Sequence, residues 1–196
     1  RNDLLSDPHK EEIAKELKVK GVDKVIVVSG KGAYKVTGAW DYVEKALNNN
    51  GIGYINYAKV TPNPTTDAIN EAVAEAKEFG AKAVIAIGGG SPIDTGKSVA
   101  ILLEYKDKTA EDLYELKFSP EKAAPIVAIN LTHGTGTEVN RFAVATLLAK
   151  DFKPAIAYDC IYPSYSIDDP QLMTKLSKNQ TLYTSIDAIN HVVEAA

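Results

Sequence analysis

The 196-residue sequence is poor in cysteine, in long apolar runs and in excess positive charge. Its one cysteine, Cys160, excludes an intrachain disulfide and favours a reducing compartment, so we expect a cytoplasmic protein. No apolar run approaches the ~20 residues of a membrane span, and residues 1–12 lack a signal peptide's apolar region, so no membrane partner is expected. The net charge of −4 argues against a nucleic-acid partner, which needs a basic face.

Apolar segments alternate with amphipathic ones along most of the chain. Continuous β-branched runs predict buried strands at 24–30, 52–58, 81–88 and 125–130. Helical spacing predicts helices at 36–51, 65–80 and 91–105. Strands without polar alternation, joined through helices, are typical of a parallel sheet covered on both faces. The predicted fold is therefore α/β: a Rossmann-like parallel sheet with flanking helices.

The pattern changes after residue 131. Two further runs, 143–150 and 153–159, predict a hairpin around Lys150-Asp151, and 168–196 is helical with a start at Asp169-Pro170. We therefore expect a nucleotide-binding α/β domain at 1–167 and the first helices of a truncated helical domain at 168–196. The last helix has no stop signal, and its apolar face needs a partner or more chain to pack on. That face comprises Leu182, Ile186, Ile189 and Val193.

Three glycines, Gly88, Gly89 and Gly90, follow the third predicted strand in VIAIGGGSPIDTGKS (84–98). They suit either a tight strand-to-helix turn or a phosphate cradle, because glycine lets backbone N–H groups approach an anion. The spacing matches neither G-x-G-x-x-G nor the P-loop. The two interpretations overlap, since a turn can itself form the cradle.

The residues behind the glycines have two interpretations each. Ser91 is the predicted N-cap, with Pro92 as the first helical residue. Asp94 then either completes a capping box or faces the ligand and accepts from a ribose hydroxyl. Lys97 is either an ordinary exposed lysine or a cation within reach of the same site.

Two other strand ends are also polar. After the first strand come Ser29, Gly30 and Lys31, where dinucleotide-binding folds usually carry a carboxylate for the ribose. Lysine without a carboxylate favours NADP over NAD, the alternative being an ordinary solvent-facing loop. After the fourth strand, Thr132 and Thr135 in NLTHGTGTEVN could bind a carboxamide or phosphate.

Four further side chains could carry chemistry. His133 is either a proton shuttle or a polar turn residue, and Cys160 lies in an apolar run that predicts a buried, inert thiol. Asp187 and His191 are spaced i, i+4, so on a helix both leave one face. That spacing suits two metal ligands, and a surface hydrogen bond explains it equally.

Four motifs in order resemble the iron-containing (group III) alcohol dehydrogenases, over nearly all of the chain. They are TPNPT (61–65), GGGSPIDTGK (88–97), LTHGTGTEVNRFAV (131–144) and the segment from DDPQL to DAINHVVEA (168–195). The resemblance implies a homo-oligomer that transfers a hydride between NAD(P) and a primary alcohol or aldehyde. It also implies a divalent metal, Fe²⁺ or Zn²⁺, as the Lewis acid.

The resemblance also assigns residues. It implies that Asp187 and His191 are the first two of four metal ligands, and so belong to the catalytic centre. The implied cofactor-binding residues are Gly89, Gly90, Ser91 and Asp94 for pyrophosphate and ribose, Asn63, Thr132 and Thr135 lining the site, and Lys153 at the nicotinamide ribose.

The chain departs from the family pattern in two respects. The family's other two ligands are histidines in the helical domain, beyond Ala196, and Leu131 stands where many members have threonine. We therefore expect this chain alone to be weakly active or inactive. Alternatives are a polyol or glycerol dehydrogenase, a sugar-phosphate cyclase, or a non-catalytic nucleotide-binding fragment.

Overall fold

The computed structural model describes residues 8–194. Within them, one sheet contains five strands: β1 Lys24–Gly30, β2 Gly53–Val60, β3 Ala83–Gly88, β4 Ile126–Asn130 and β7 Tyr165–Ile167. All neighbours in this sheet are parallel, in the order β2-β1-β3-β4-β7. Strands β5 (Phe142–Val144) and β6 (Ala155–Ala157) form a separate antiparallel pair. The predicted parallel α/β fold is confirmed.

Helices cover both faces of the sheet. They are α1 Pro8–Val19, α2 Ala33–Val36, α3 Ala39–Asn49, α4 Thr66–Phe79, α5 Gly90–Glu104, α6 Ala110–Tyr114, α7 Pro170–Met173 and α8 Lys178–Glu194. In β1, Ile26 and Val28 pack with α4 and α5, whereas Val25 and Val27 pack with α1 and α3. Both faces of the strand are buried, which explains its continuous apolar run.

Helix α4 follows the local rules that predicted it. The side chain of Thr65 accepts from the Ala68 N–H at 3.2 Å, which caps the first turn. Gly80 ends the helix in the left-handed conformation, φ 80°, which costs glycine little. The helix predicted at 65–80 is therefore confirmed, with a capping residue at each end.

Some predicted boundaries were wrong. The helix predicted at 36–51 begins three residues later, as α3 at Ala39, because Gly38 adopts a left-handed conformation (φ 83°) that separates α3 from the short helix α2. The hairpin exists, but β5 and β6 have three residues each, because the segment between them turns at Leu148–Lys150 and Asp151 (φ 46°). Strand β7 and helix α1 were not predicted at all.

Helix α8 leaves its apolar side in solvent. Leu182, Ile186, Ile189 and Val193 are 54–67% exposed.

Asp169 caps the preceding helix α7 by accepting from the Gln171 N–H at 2.9 Å, as its Asp-Pro sequence predicted. None of the helices within residues 8–194 combines the length and apolar character that a membrane span needs.

Candidate functional site

The candidate site lies where the order of the sheet reverses. From β1 the chain moves to β2 on one side and then to β3 on the other, so β1 and β3 are neighbours. Ser29 near the end of β1 pairs with Ile87, one residue before Gly88. In open α/β sheets, ligands bind beyond the carboxyl ends of the strands at this switch point. The ends of β1 and β3 are therefore adjacent at the edge of the sheet where such ligands bind.

The glycine turn after β3 has no room for side chains. A Cβ at Gly88 would lie 2.5 Å from Pro92 Cγ, and one at Gly89 would lie 2.6 Å from Thr132 Oγ1. Helix α5 starts at Gly90 with Gly89 as its N-cap, and no side chain caps it. The predicted Ser91 N-cap is wrong, and Pro92 is the third residue of the helix. The free N–H groups of α5 are therefore available to an anion.

Three buried hydroxyl groups around this turn have no hydrogen-bond partner among the described residues. They are Ser29 Oγ, Thr132 Oγ1 and Thr135 Oγ1. The two threonines lie against the glycines, since a Cβ at Gly90 would be 3.3 Å from Thr135 Cγ2. An unpaired buried polar group costs about 1–3 kcal/mol, so these groups call for an external partner. Hydroxyls beside a helix N-terminus fit a nucleotide phosphate or amide.

Asp94 belongs to the cleft and does not form the predicted capping box. Its Oδ1 accepts from Thr137 Oγ1 at 2.5 Å, and its Oδ2 accepts from the Val144 N–H at 3.0 Å. The carboxylate thus ties α5 to the segment after β4 and to β5. Burial raises the pKa of Asp94 from 3.8 to about 6, although both hydrogen bonds and Lys97 act in the opposite direction.

Lys97 is fully buried, so of its two interpretations the ordinary exposed lysine is wrong. Its Nζ lies within 3.1 Å of four oxygen atoms: Thr137 Oγ1, Phe142 O and both Asn140 O and Oδ1. Burial lowers the pKa of Lys97 from 10.5 to about 8, against the pull of Asp94 and Glu138. Its ammonium group holds one wall of the cleft in place, and Lys97 does not line the cleft itself.

A cleft of about 610 Å³ brings eight of the predicted site residues together. They are Asn63, Gly90, Ser91, Asp94, Thr135, Lys153, Asp187 and His191. Lys153 Nζ donates to Asn63 Oδ1 at 2.6 Å, which links two of these residues across the cleft. The fold therefore places these eight residues around one cleft, and their roles in binding a cofactor or a metal stay predictions.

The other predicted residues lie outside the cleft lining. Gly88, Gly89 and Thr132 are behind it in the turn, and Gly30 and Lys31 lie at the end of β1, where Lys31 is exposed. The cleft is also lined by residues that were not predicted to belong to the site: Pro64, Asn140, Phe142, Val144 and Ala155. Most of these come from the β5–β6 pair, whose position follows from long-range packing rather than from a local motif.

The two predicted metal ligands, Asp187 and His191, lie close together on one helix. His191 Nε2 and Asp187 Oδ1 are 3.8 Å apart on α8, and both side chains remain about half exposed. Within residues 8–194, no group of three or more His, Cys, Asp or Glu side chains could hold a metal ion. Imidazole and carboxylate suit a divalent transition metal, so the pair fits such an ion if further ligands complete the site.

Two other residues that the sequence singled out, His133 and Cys160, do not line the cleft. The ring of His133 is exposed, with Nε2 3.1 Å from Ser185 Oγ of α8. Cys160 is partly buried and its Sγ donates to the Pro120 carbonyl at 3.6 Å. Burial raises the pKa of this thiol, which keeps it protonated and agrees with an inert cysteine.

The sequence matches the iron-containing alcohol dehydrogenase family over residues 7–170. This chain belongs to that family. It is 66% identical, over 94% of its length, to the long-chain primary alcohol dehydrogenase AdhA of Thermoanaerobacter ethanolicus. The structure resembles that of NADH-dependent butanol dehydrogenase A from Thermotoga maritima, with a TM-score of 0.88 and 36% identity over 94% of this chain.

The chain spans about half the length of the curated family members that it matches: 46% of the Thermoanaerobacter protein and 46% of the Thermotoga structure. Family members named for their cofactor include the NAD-dependent methanol dehydrogenase of Bacillus methanolicus, 32% identical over 94% of this chain and 48% of that protein. The Thermotoga protein is likewise named as NADH-dependent. These relatives do not support the predicted preference for NADP.

Proposed function

We propose that this chain is the cofactor-binding part of an iron-dependent alcohol dehydrogenase, which transfers a hydride between NAD(H) and a primary alcohol or aldehyde. The observation that carries the proposal is the cleft of about 610 Å³. There the N-terminus of α5, the unpartnered hydroxyl of Thr135 and the Asp187–His191 pair face one another. That arrangement suits a dinucleotide beside a metal-bound substrate.

The proposed roles follow from the surroundings of each residue. Gly88, Gly89 and Gly90 let the pyrophosphate approach the N–H groups of α5. The buried hydroxyl groups of Thr132 and Thr135 form hydrogen bonds to the cofactor. Asn63, Ser91, Asp94 and Lys153 contact its riboses from the cleft wall, and Gly30 and Lys31 lie at the adenosine end.

Asp187 and His191 would hold the metal, Fe²⁺ in keeping with the family name. When bound, such an ion acts as a Lewis acid that stabilises the alkoxide form of the alcohol. The protein's own contribution is to orient the cofactor, to keep the hydride acceptor near the alcohol and to present the two ligands on one helical face.

We further propose the division at residues 167 and 168, with α7 and α8 as the beginning of a helical part of the protein. With two ligands present, the chain alone binds nucleotide and turns alcohol over slowly or not at all. Alcohol oxidation by this chain with added Fe²⁺, at the rate of a complete enzyme, would show that this view is wrong. The homo-oligomeric state and cytoplasmic location stay predictions.

Titration with NADH, followed by nicotinamide fluorescence, tests the cofactor site directly. Thr135→Val keeps the shape of the side chain and removes the buried hydroxyl. We expect about tenfold weaker NADH binding, the effect of losing one hydrogen bond to a polar or charged group. The control is Thr174→Val, whose hydroxyl bonds only the Gln171 carbonyl at the surface.

Three results bear on the proposal. Equal NADH affinity in both threonine variants would show that the Thr135 hydroxyl does not bind the cofactor. Failure of the unaltered chain to bind either NADH or NADPH would contradict the proposed function. A parallel NADPH titration decides the cofactor: tighter NADPH binding would restore the preference that Lys31 suggested.

A further inference from the structure

Helix α8 carries both proposed metal ligands, yet it meets the rest of the described chain through a very small contact. Of its seventeen residues, only Thr184 is buried. The Thr184 hydroxyl bonds back to the Gln180 and Thr181 carbonyls of its own helix. The contact with the α/β domain at this residue is therefore made by the carbonyl group and the Cβ of Thr184, and we take it to fix the position of the helix.

The partner in that contact is Gly134, in the loop after β4. A Cβ at Gly134 would lie well under 3.0 Å from the Thr184 carbonyl oxygen, and 2.9 Å from its carbonyl carbon. Gly134 also has φ +124°, a conformation that favours glycine. Beside it, His133 Nε2 lies 3.1 Å from Ser185 Oγ, so the same loop holds α8 at two consecutive residues.

The loop connects the two halves of the cleft. Thr135, next to Gly134, lies against Gly90 at the start of α5. On α8, Asp187 and His191 follow Thr184 by three and seven residues, so all three lie on one helical face. A change in the separation of Gly134 and Thr184 would move the ligand pair relative to the glycine turn.

We propose that Gly134 is a positioning residue: its lack of a side chain sets how closely α8, with Asp187 and His191, sits against the cofactor-binding turn. The functional meaning of this distance rests on the proposed function, whereas the contact itself does not. Any side chain at residue 134 would force α8 outwards or distort the loop. Either change would separate the metal ligands from the cofactor.

Hydrogen exchange measured on the α8 peptide tests the contact without any metal or substrate. Gly134→Ala should speed amide hydrogen exchange across residues 178–194 by about tenfold, because α8 loses its close contact with the loop at residue 134. The matched control is Gly136→Ala in the same loop. Gly136 also has positive φ (+64°), but a Cβ there would meet no atom within 4 Å. We expect its α8 exchange to stay within about twofold of the unaltered chain.

A second pair of variants approaches the contact from α8 and leaves the loop backbone unstrained. Thr184→Leu enlarges the buried side chain and should speed exchange as Gly134→Ala does. Thr184→Val keeps its volume and should not. This pair also decides the matter if Gly134→Ala fails to fold.

A paramagnetic probe separates positioning from simple loss of helix stability. Mn²⁺ bound at the Asp187–His191 pair should broaden the amide signals of Gly90 and Thr135 across the cleft. Thr184→Leu should lose part of that broadening, and Thr184→Val should keep it. Unchanged exchange and unchanged broadening in Thr184→Leu, or equal exchange in the two glycine variants, would overturn the proposal. Absence of NADH binding to the unaltered chain would count against the proposed function alone.

Discussion

The buried ammonium group of Lys97 offers the most demanding test of the structure. Substitution by methionine keeps the length and apolar body of the side chain and removes the charge. Four oxygen atoms on Thr137, Asn140 and Phe142 would then lose their shared donor. Because Lys97 is fully buried, water cannot readily replace the ammonium group.

The expected cost can be worked out from those contacts. An ammonium group has three protons, so three charge-assisted hydrogen bonds form at a time, each contributing about 1.5–3 kcal/mol. Relief of the ammonium's own desolvation offsets part of this sum, as its lowered pKa shows. Removal of one member of a buried charged network typically costs about 3–5 kcal/mol, and we expect Lys97→Met to fall in that range.

Urea unfolding followed by circular dichroism measures the effect. With a slope of about 1–3 kcal/mol per molar, a cost of about 3–5 kcal/mol should lower the midpoint by about 1–5 M. Lys59→Met is the control, because Lys59 pairs with Glu71 and Glu75 at 2.7 and 2.9 Å but is 56% exposed. Its midpoint should not change measurably. A Lys97→Met midpoint as high as the control's would show that the four contacts contribute nothing to stability.

Two further predictions concern α5. The contribution of Asp94 to the unfolding free energy should fall as pH rises from about 4 to 6, because its pKa is about 6 in the folded state against 3.8 ordinarily. Carboxyls with a lowered pKa, such as Glu71 and Glu115, act in the opposite direction, so the contribution is measured in urea titrations as the difference between the unaltered chain and Asp94→Asn. Gly96→Ala should destabilise the fold by about 1–3 kcal/mol, since its Cβ would lie 2.7 Å from Ala86 Cβ; Gly32→Ala, with open space around it, should unfold at the unaltered midpoint.

Local patterns predicted the sheet and its main helices because each element carries its own signal. The apolar run of β3 and the caps Thr65 and Gly80 of α4 need no knowledge of the rest of the fold. Strand β7 was missed because Tyr165–Ile167 is three residues long and partly polar. It becomes a strand only by pairing with the buried strand β4, which is a tertiary effect.

The site was predicted by motif rather than by geometry, and this explains the errors in it. Ser91 and Asp94 have the spacing of a capping box, yet Asp94 instead accepts from Thr137 and Val144, more than forty residues away. Capping propensity describes an isolated helix, whereas α5 has a tertiary partner for its carboxylate. The burial of Lys97 was missed for the same reason.

The charges buried beneath the cleft also bear on function. Burial raises the pKa of Asp94 to about 6 and lowers that of Lys97 to about 8, so each charged form is disfavoured despite the other's presence. Replacing all members of such a buried charged group together by apolar residues of similar size often leaves a fold equally stable or more stable, whereas removing one member destabilises it. The hydroxyls of Thr135 in the cleft and of Thr132 in the turn behind it are unpaired. Costly charges and unpaired donors together are typical of a surface shaped for a polar ligand, and this is the strongest physical reason to expect a cofactor there.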